Sequence, residues 1–211
     1  IILVTTAVLI LLPAIFFFLS DFAGFSMGKR ILASFFQSVT LRTAGFNTAD
    51  LGAMNDSSKA IMTLMMLIGG SPGSTAGGMK TTTIAVLILN AFATFGREAE
   101  TEVFGRRFDN TVVKNAATIA ILYFFLFFTG GIAISQIEHV ALSDCLFETA
   151  SAVGTAGLTL GITTELGLVS HLILVVLMYL GRVGGLTLIY AAISVKIQSG
   201  AKRPLDKITV G

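Results

Sequence analysis

Long apolar stretches separated by short polar segments dominate the pattern of this chain. Residues 1–20 and 115–137 carry no charged side chain, and residues 171–195 carry one, Arg182. About 20 apolar residues in a helix cross the hydrocarbon core of a bilayer, so each stretch predicts a membrane-spanning helix. The predicted fold class is therefore an all-α integral membrane protein.

The pattern occurs twice along the chain. The strings Thr43-Ala44-Gly45-Phe46 and Thr155-Ala156-Gly157-Leu158 match, and the match continues without gaps on both sides. We call the shift that aligns Thr43 with Thr155 the repeat offset. The further pairs matched at this offset are Phe16 with Phe128, Phe35 with Phe147, Ile61 with Ile173, Met66 with Met178, and Gly69 with Gly181. Each copy predicts an outer helix, a short pore helix, a glycine turn and an inner helix, an arrangement abbreviated M1-P-M2.

Helix lengths and capping residues set the expected bounds of these elements. The first copy is expected to hold an outer helix over 1–19, a short helix over 29–39 and an extended return over 43–47. The second is expected to hold an outer helix over 114–137, a short helix over 143–152 with Ser143 as its N-cap, and an extended return over 154–159. About ten helical residues reach half-way across a bilayer, which is the length that a pore helix needs.

Four segments follow from this division of the chain. They are a repeat with a broken inner helix over 1–96, a cytoplasmic linker over 97–113, a second repeat over 114–197 and a cytoplasmic tail over 198–211. Two repeats do not comfortably surround an axis, whereas four do. The other two are expected from the rest of a longer protein or from a second chain.

The chain begins at Ile1, inside an apolar stretch that no basic segment precedes. A signal peptide is therefore not expected. We expect this start to be a boundary within a longer protein or a processing site.

Composition and charge agree with a membrane protein. Apolar residues make up 54% of the chain and charged residues 12%, and the mean hydropathy is +0.87. A soluble domain usually carries about twice that share of charge. The single cysteine, Cys145, excludes an internal disulfide framework.

The placement of Lys and Arg predicts the orientation in the membrane. Eight basic residues are expected on the cytoplasmic side: Arg97, Arg106, Arg107, Lys114, Lys196, Lys202, Arg203 and Lys207. The opposite side holds Lys29, Arg30 and Lys59 with the acids Asp21, Asp50, Asp56, Glu138, Asp144, Glu148 and Glu165. An acidic outer mouth concentrates cations, although ordinary solvated loop acids are the alternative for each residue.

The two Thr-Ala-Gly strings are candidate ion-filter segments. A filter of the potassium type replaces the water shell of an ion with backbone carbonyls, and glycine supplies the positive φ that this geometry needs. We therefore expect potassium to bind at Gly45 and Gly157, with Thr43 and Thr155 adding a hydroxyl at the inner end. The alternative is that both glycines simply end helices.

Arg42 directly precedes the first string, where its repeat partner is Gly154. A charge at membrane depth is costly unless it is paired. We expect Arg42 to support the filter from behind, bonded to carbonyls or to a carboxylate such as Glu148. A direct role as an ion barrier is the alternative.

A glycine-rich loop, residues 69–80, interrupts the first inner helix. The segment 57–95 is far longer than one crossing needs, and residues 69–78 within it contain five glycines and one proline. The candidate gate comprises Gly69, Gly70, Ser71, Pro72, Gly73, Ser74, Thr75, Ala76, Gly77, Gly78 and Lys80. Lys80 either tethers this loop or acts as a positive barrier. A glycine-rich loop outside the membrane is the alternative. A phosphate-binding loop is not expected, because the spacing Gly-x-x-x-x-Gly-Lys-Ser/Thr is absent.

Arg182 lies inside the last apolar stretch, opposite Gly70 in the repeat. An arginine within a membrane segment is a functional candidate. We expect it to act as part of the gate or as an electrostatic barrier, with a purely structural tether as the alternative.

These motifs together resemble the Trk/Ktr/HKT superfamily of potassium transporters, and most closely its bacterial Ktr membrane subunits. The resemblance covers essentially the whole chain, as the third and fourth of four M1-P-M2 repeats. It implies a bacterial cell membrane protein with one pore per chain, a homodimer, and a cytosolic ring of nucleotide-binding RCK domains. It also implies filter glycines at Gly45 and Gly157, a gate at residues 69–80 and a conserved inner-helix arginine at Arg182. Neither string is Thr-Val-Gly-Tyr-Gly, which favours weaker potassium selectivity.

The function expected is potassium uptake, aided by sodium in the Ktr branch, through a filter of backbone carbonyls. The alternative is a non-conducting binding or sensor subunit with a degenerate pore. We expect no enzyme activity, because His139 and His171 lie outside any metal-ligand spacing and Cys145 stands alone. No covalently bound cofactor and no nucleic-acid partner are expected either.

Overall fold

The computed structural model describes residues 1–97, 102–103 and 106–184 of the chain. The end of the second predicted inner helix, the predicted tail 198–211 and its basic residues lie outside this part. The same is true of two short pieces of the predicted linker 97–113.

Seven α-helices form the described structure. They are α1 (Ile2–Ser20), α2 (Met27–Thr40), α3 (Asp56–Met66), α4 (Thr81–Phe95), α5 (Asn110–Glu138), α6 (Leu142–Gly154) and α7 (Leu168–Val183). A 3-10 turn, Ile162–Glu165, precedes α7. Two-residue strands, β1 (Glu102–Val103) and β2 (Arg106–Arg107), pair antiparallel in the linker.

Two of these helices, α1 and α5, are long and apolar enough to cross a membrane, judged within the described residues. Helices α4 and α7 are apolar but shorter. Large apolar side chains on the outer faces are exposed, among them Leu3, Leu12, Phe92, Ile121 and Tyr179. Exposed faces of this composition fit contact with lipid.

Helix α6 lies at the centre of the packing. It contacts α5 and α7 in its own half of the chain and α3 in the other half. Helix α1 packs on α2, and α4 packs on α5. The buried core includes Phe17, Met62, Tyr123, Phe147 and Val153. The side chains of α6 from Phe147 to Val153 are buried, so this short helix is enclosed by protein.

The segment predicted to be the first inner helix is interrupted at its glycines and proline. Helix α3 ends at Met66 and α4 begins at Thr81. The second inner helix, α7, continues without a break from Leu168 to Val183.

Two local expectations are wrong. Ser143 does not cap α6, because this helix begins at Leu142 with Ala141 as its N-cap, and the Ser143 hydroxyl donates to the Asp144 carboxylate. The chain is also not extended throughout the predicted returns. Thr43 has a φ of 62°, and Gly154 still belongs to α6.

Candidate functional site

The two Thr-Ala-Gly strings lie at the C-terminal ends of the two short helices. In the first half, the backbone amides of Ala44 and Gly45 donate to the Thr40 carbonyl, the last of α2, at 3.3 and 3.2 Å. In the second half, the Ala156 amide donates to the Ser151 carbonyl of α6 at 2.9 Å. The first residues of each string thus form the C-terminal turn of the preceding helix.

Both strings adopt the same unusual backbone conformation. Thr43 and Thr155 have φ values of 62° and 50°, and Gly45 and Gly157 have φ values of 74° and 84°. Positive φ is uncommon for threonine and persists only where the surroundings impose it. Two segments that match in sequence therefore also match in a strained turn.

The strings lie against each other. A Cβ atom on Gly45 would overlap the Ala156 carbonyl oxygen and would lie 3.5 Å from the Gly157 Cα. The side chains beside them differ, because Phe46 is exposed whereas Leu158 is buried. The fold thus brings together two glycine turns, one from each half of the chain, that share a backbone conformation but not their surroundings.

Helix dipoles favour a cation beside these turns. The carbonyl ends of α2 and α6 are directed toward the strings that follow them. The C-terminal end of a helix carries about half an elementary negative charge. The last turns of α2 and α6 thus place partial negative charge next to both strings.

The glycine-rich loop folds back on itself and joins the two pieces of the broken helix. The Gly69 amide donates to the Met79 carbonyl at 2.8 Å, and the Met79 amide donates to the Leu67 carbonyl at 3.0 Å. The Thr81 amide donates to the Gly70 carbonyl at 3.1 Å. Residues 72–75 form an exposed tip, and Gly77, Gly78 and Met79 are buried.

Three hydrogen bonds attach this loop to the surrounding elements. Arg42 Nη2 donates to the Gly69 carbonyl at 3.0 Å. The Gly77 amide donates to Thr155 Oγ1 at 3.0 Å, and the Gly78 amide donates to the Gly181 carbonyl at 3.3 Å. The loop is therefore bonded beside the first string, to a side chain of the second string, and to α7.

Lys80 donates hydrogen bonds to the glycine-rich loop. Its Nζ donates to the carbonyls of Ala76 at 2.6 Å and Ser74 at 3.2 Å. Both acceptors belong to the loop itself, so the ammonium group closes the exposed tip onto the start of α4.

Arg42 and Glu148 do not pair with each other among the described contacts. Of the partners predicted for Arg42, the structure has a carbonyl, that of Gly69 in the loop. Glu148 is only 4% exposed and holds the chain after the second string. Its two oxygens accept hydrogen bonds from the Thr159 hydroxyl at 2.6 Å, the Leu160 amide at 2.9 Å and the Thr163 hydroxyl at 2.6 Å.

Arg182 lies in the last turn of α7, next to Gly181, which accepts the bond from the loop. It is exposed in the described structure. Its positive charge is close enough to act on that of Lys80. The two predicted cations therefore lie near enough to each other for their charges to repel.

Sequence reasoning missed two carboxylate contacts at the start of the inner helices. Asp21 accepts from Asn55 and Ser58, and Glu138 accepts from Gly167 and Ser170. One signal was available, because Ser58 and Ser170 match at the repeat offset. The buried Tyr123 hydroxyl, which donates to the Gly181 carbonyl at 3.3 Å, was also missed.

The fold and the site define a helical membrane protein in which two glycine turns lie in contact and a glycine-rich loop joins α3 to α4. The family model TrkH, described as cation transport protein, matches residues 1–201. The chain belongs to this family of cation transport proteins.

Several named uptake proteins are similar to this chain and support this placement. The chain is 35% identical to Ktr system potassium uptake protein B of Bacillus subtilis, over 86% of this chain and 41% of that protein. It is 33% identical to potassium/sodium uptake protein NtpJ of Enterococcus hirae, over 98% of this chain and 48% of that protein. It is 37% identical to Ktr system potassium uptake protein B of Vibrio alginolyticus, over 90% of this chain and 43% of that protein. The chain thus spans less than half the length of these curated relatives.

A solved structure has the same fold. The potassium transporter TrkH from Vibrio parahaemolyticus superposes with a TM-score of 0.76 at 22% identity, covering 90% of this chain and 43% of that chain. This likeness agrees with a predominantly helical fold.

Proposed function

We propose that this chain supplies two quarters of a pore that carries potassium into a bacterial cell. In each quarter α1 or α5 is the outer helix, α2 or α6 is the pore helix, and the Thr-Ala-Gly string is the filter segment. The inner helices are α7 and the broken pair α3 and α4. The divisions 1–96, 97–113, 114–197 and 198–211 belong to the same proposal.

One observation carries this proposal: the two strings share a strained turn and lie in contact. Threonine and glycine at positive φ occur at matched positions in both strings, and Gly45 lies against the Ala156 backbone. A ring of such turns directs carbonyl oxygens toward a common axis, where they replace the hydration shell of an ion. Potassium is the proposed ion at Gly45 and Gly157, as the transported substrate rather than a cofactor.

The rest of the pore and its partners are proposals from family resemblance. Two relatives are named for potassium uptake and one for potassium/sodium uptake, which supports sodium assistance as a candidate coupling. We propose two further quarters to complete the ring, a homodimer and a cytosolic ring of RCK domains. The linker 97–113 and the C-terminal tail are proposed to face the cytoplasm, on the side of the regulatory ring.

The glycine-rich loop is the proposed gate. It is bonded to Thr155 of the second filter segment and to Gly181 of α7, so it occupies the region directly beside the filter. Arg42 and Glu148 are the proposed supports. Arg42 holds the loop at Gly69, and Glu148 holds the chain that leaves the second string.

Potassium flux into liposomes tests the proposed function. Liposomes that hold the intact protein should accumulate a potassium tracer down its gradient, and the uptake should saturate and be absent from protein-free liposomes. The competing function, a non-conducting sensor, predicts ion-dependent stabilisation of the protein against heat without any flux. That result would refute the transport proposal.

Replacing Arg182 with alanine should raise potassium flux. Removing one positive charge beside the loop lowers the electrostatic barrier to cations, and one charge at about 4 Å in water contributes about 1 kcal/mol. We expect at least a fivefold rise in the initial rate, roughly 1 kcal/mol. Arg182→Lys, which keeps the charge, is the matched control. An effect confined to protein abundance would instead support the structural tether.

A further inference from the structure

We propose that Asp21 and Glu138 act as clamps at the outer ends of the filter-bearing segments, and that as positioning residues they set the ion selectivity of the pore. This inference rests on the proposed function, because selectivity has meaning only for a conducting chain. The clamps themselves are a matter of geometry and can be tested without flux.

The first clamp joins the end of α1 to the start of α3. Asp21, the residue after α1, accepts a hydrogen bond at Oδ1 from the Asn55 amide at 2.9 Å. Its Oδ2 accepts from the hydroxyls of Ser58 and Ser20. Ser58 is fully buried, so the serine side of this contact lies between packed helices, whereas the bond to the Asn55 amide is exposed.

The second clamp has the same design in the other half of the chain. Glu138 is the last residue of α5. Its Oε1 accepts from the Gly167 amide at 2.8 Å and from the Ser170 hydroxyl. Ser170, like Ser58, is fully buried.

The donors match in the repeat, but the carboxylates do not. Asn55 corresponds to Gly167 and Ser58 to Ser170 at the repeat offset. Asp21 corresponds instead to Ala133. The two halves therefore reach one contact with side chains from different positions and of different lengths.

Each clamp satisfies a helix end that lacks a cap of its own. Neither Asn55 nor Gly167, the N-cap residues of α3 and α7, makes a side-chain capping bond. The first amides of a helix have no partner within it, and its N-terminal end favours negative charge. A carboxylate from the outer helix supplies both the acceptor and the charge.

Each clamp also closes the segment that contains a filter string. Residues 21–55 hold α2 and the first string, and residues 138–167 hold α6 and the second. The clamped amide follows the string glycine at the same spacing in both halves, from Gly45 to Asn55 and from Gly157 to Gly167. Fixing both ends of a loop restricts the positions that its interior can adopt. The height of each string relative to its outer helix therefore depends on the clamp.

This role differs from both predicted readings of these acids, a vestibule charge and an ordinary solvated loop acid. A vestibule charge acts through its field, which salt screens within about 10 Å at roughly 0.1 M. A clamp acts through a short hydrogen bond, which salt leaves largely unchanged. Glu165, an exposed acid in the 3-10 turn before α7, offers a matched control that carries the charge without a clamp.

The test compares Asp21→Ala, Glu138→Ala and Glu165→Ala in the intact protein reconstituted in liposomes. We expect the first two variants to lower the ratio of potassium to sodium uptake about fivefold or more, equally in low and high salt, and Glu165→Ala to leave it unchanged. Glu138→Gln should restore most of the ratio, because its amide oxygen still accepts hydrogen bonds while its charge is lost. An equal loss in Glu165→Ala, or a loss in Glu138→Gln as large as in Glu138→Ala, would overturn the clamp.

Hydrogen exchange separates failure of the clamp from failure of the proposed function. In lipid nanodiscs, Asp21→Ala should speed exchange of amides in residues 46–55, and Glu138→Ala in residues 158–167, each by about tenfold. If the wild type carries no potassium while these changes occur, the pore proposal fails and the clamps stand. If exchange in both segments stays at the wild-type rate, the clamps are refuted.

Discussion

Gly157→Ser is expected to lower the potassium-over-sodium uptake ratio about tenfold or more. Gly157 has a φ of 84°, and a non-glycine residue in a left-handed conformation costs roughly 1–2 kcal/mol. Relief of that strain would rotate the neighbouring peptide and move a carbonyl away from the ion. A tenfold change in binding corresponds to about 1.4 kcal/mol, so strain of this size is enough to change the preference between ions. Competitive tracer uptake in liposomes measures the ratio.

Gly161→Ser is the matched control for this experiment. Gly161 also has a positive φ, 104°, and a Cβ atom there would meet nothing within 4 Å, but it lies beyond the string. The control should lose some thermal stability and keep its ion preference. Gly45→Ser should act in the same direction as Gly157→Ser, with an added clash against the Ala156 carbonyl. Equal selectivity losses at Gly157 and Gly161 would contradict the assignment of the string.

Deleting residues 71–78 should raise potassium flux at least about fivefold. The deletion removes the bonds from Gly77 to Thr155 and from Gly78 to Gly181. Each such bond contributes roughly 0.5–1.5 kcal/mol net, so the closed arrangement loses enough free energy to shift a gating equilibrium several-fold. The initial rate of tracer uptake measures the effect, with gel filtration in detergent as the check on folding.

A single substitution tests the same gate with less disturbance. A Cβ atom at Gly77 would overlap the Thr155 side chain, whereas one at Gly28, near the start of α2, would meet nothing within 4 Å. Gly77→Ala should therefore raise flux in the same direction as the deletion, and Gly28→Ala should not. If the deletion variant folds normally but its flux is unchanged or lower, the loop is not a gate.

Local composition predicted much of the fold. The apolar stretches located α1, α5 and α7, and the glycines and proline of residues 69–80 located the break between α3 and α4. These features arise from helix propensity and from segment length, which are visible within a short window of sequence. The internal repeat also predicted that Gly45 and Gly157 belong to one site, and the two glycines are in contact in the structure.

Partners that lie far apart in the chain were harder to predict. Arg42 was expected to reach Glu148 or a carbonyl, and its acceptor is the Gly69 carbonyl, 27 positions away. Glu148 binds the three donors that follow its own string instead. A buried carboxylate can be satisfied by hydroxyls and amides as well as by a cation, and only the packing of the helices decides which of these it meets.

The acids of the outer side show the same limit. Charge counting treated Asp21, Glu138 and Glu148 as a common negative mouth, but each is engaged by specific donors of the backbone or by hydroxyls. The use of each charge depended on which helix end or loop lay within reach, and a count of charges along the sequence carries no such information.

The length of α5 has a mechanical consequence. At about 1.5 Å per residue its 29 residues span about 44 Å, against a hydrocarbon core of roughly 30 Å. The excess, roughly nine residues, must project into water or be absorbed by tilt. Tyr123, about 20 Å along this rod from Asn110, bonds to the Gly181 carbonyl that also receives the Gly78 amide. A force applied to the linker would therefore act along a stiff helix. Tyr123 of this helix is connected to the glycine-rich loop through the two hydrogen bonds that share the Gly181 carbonyl.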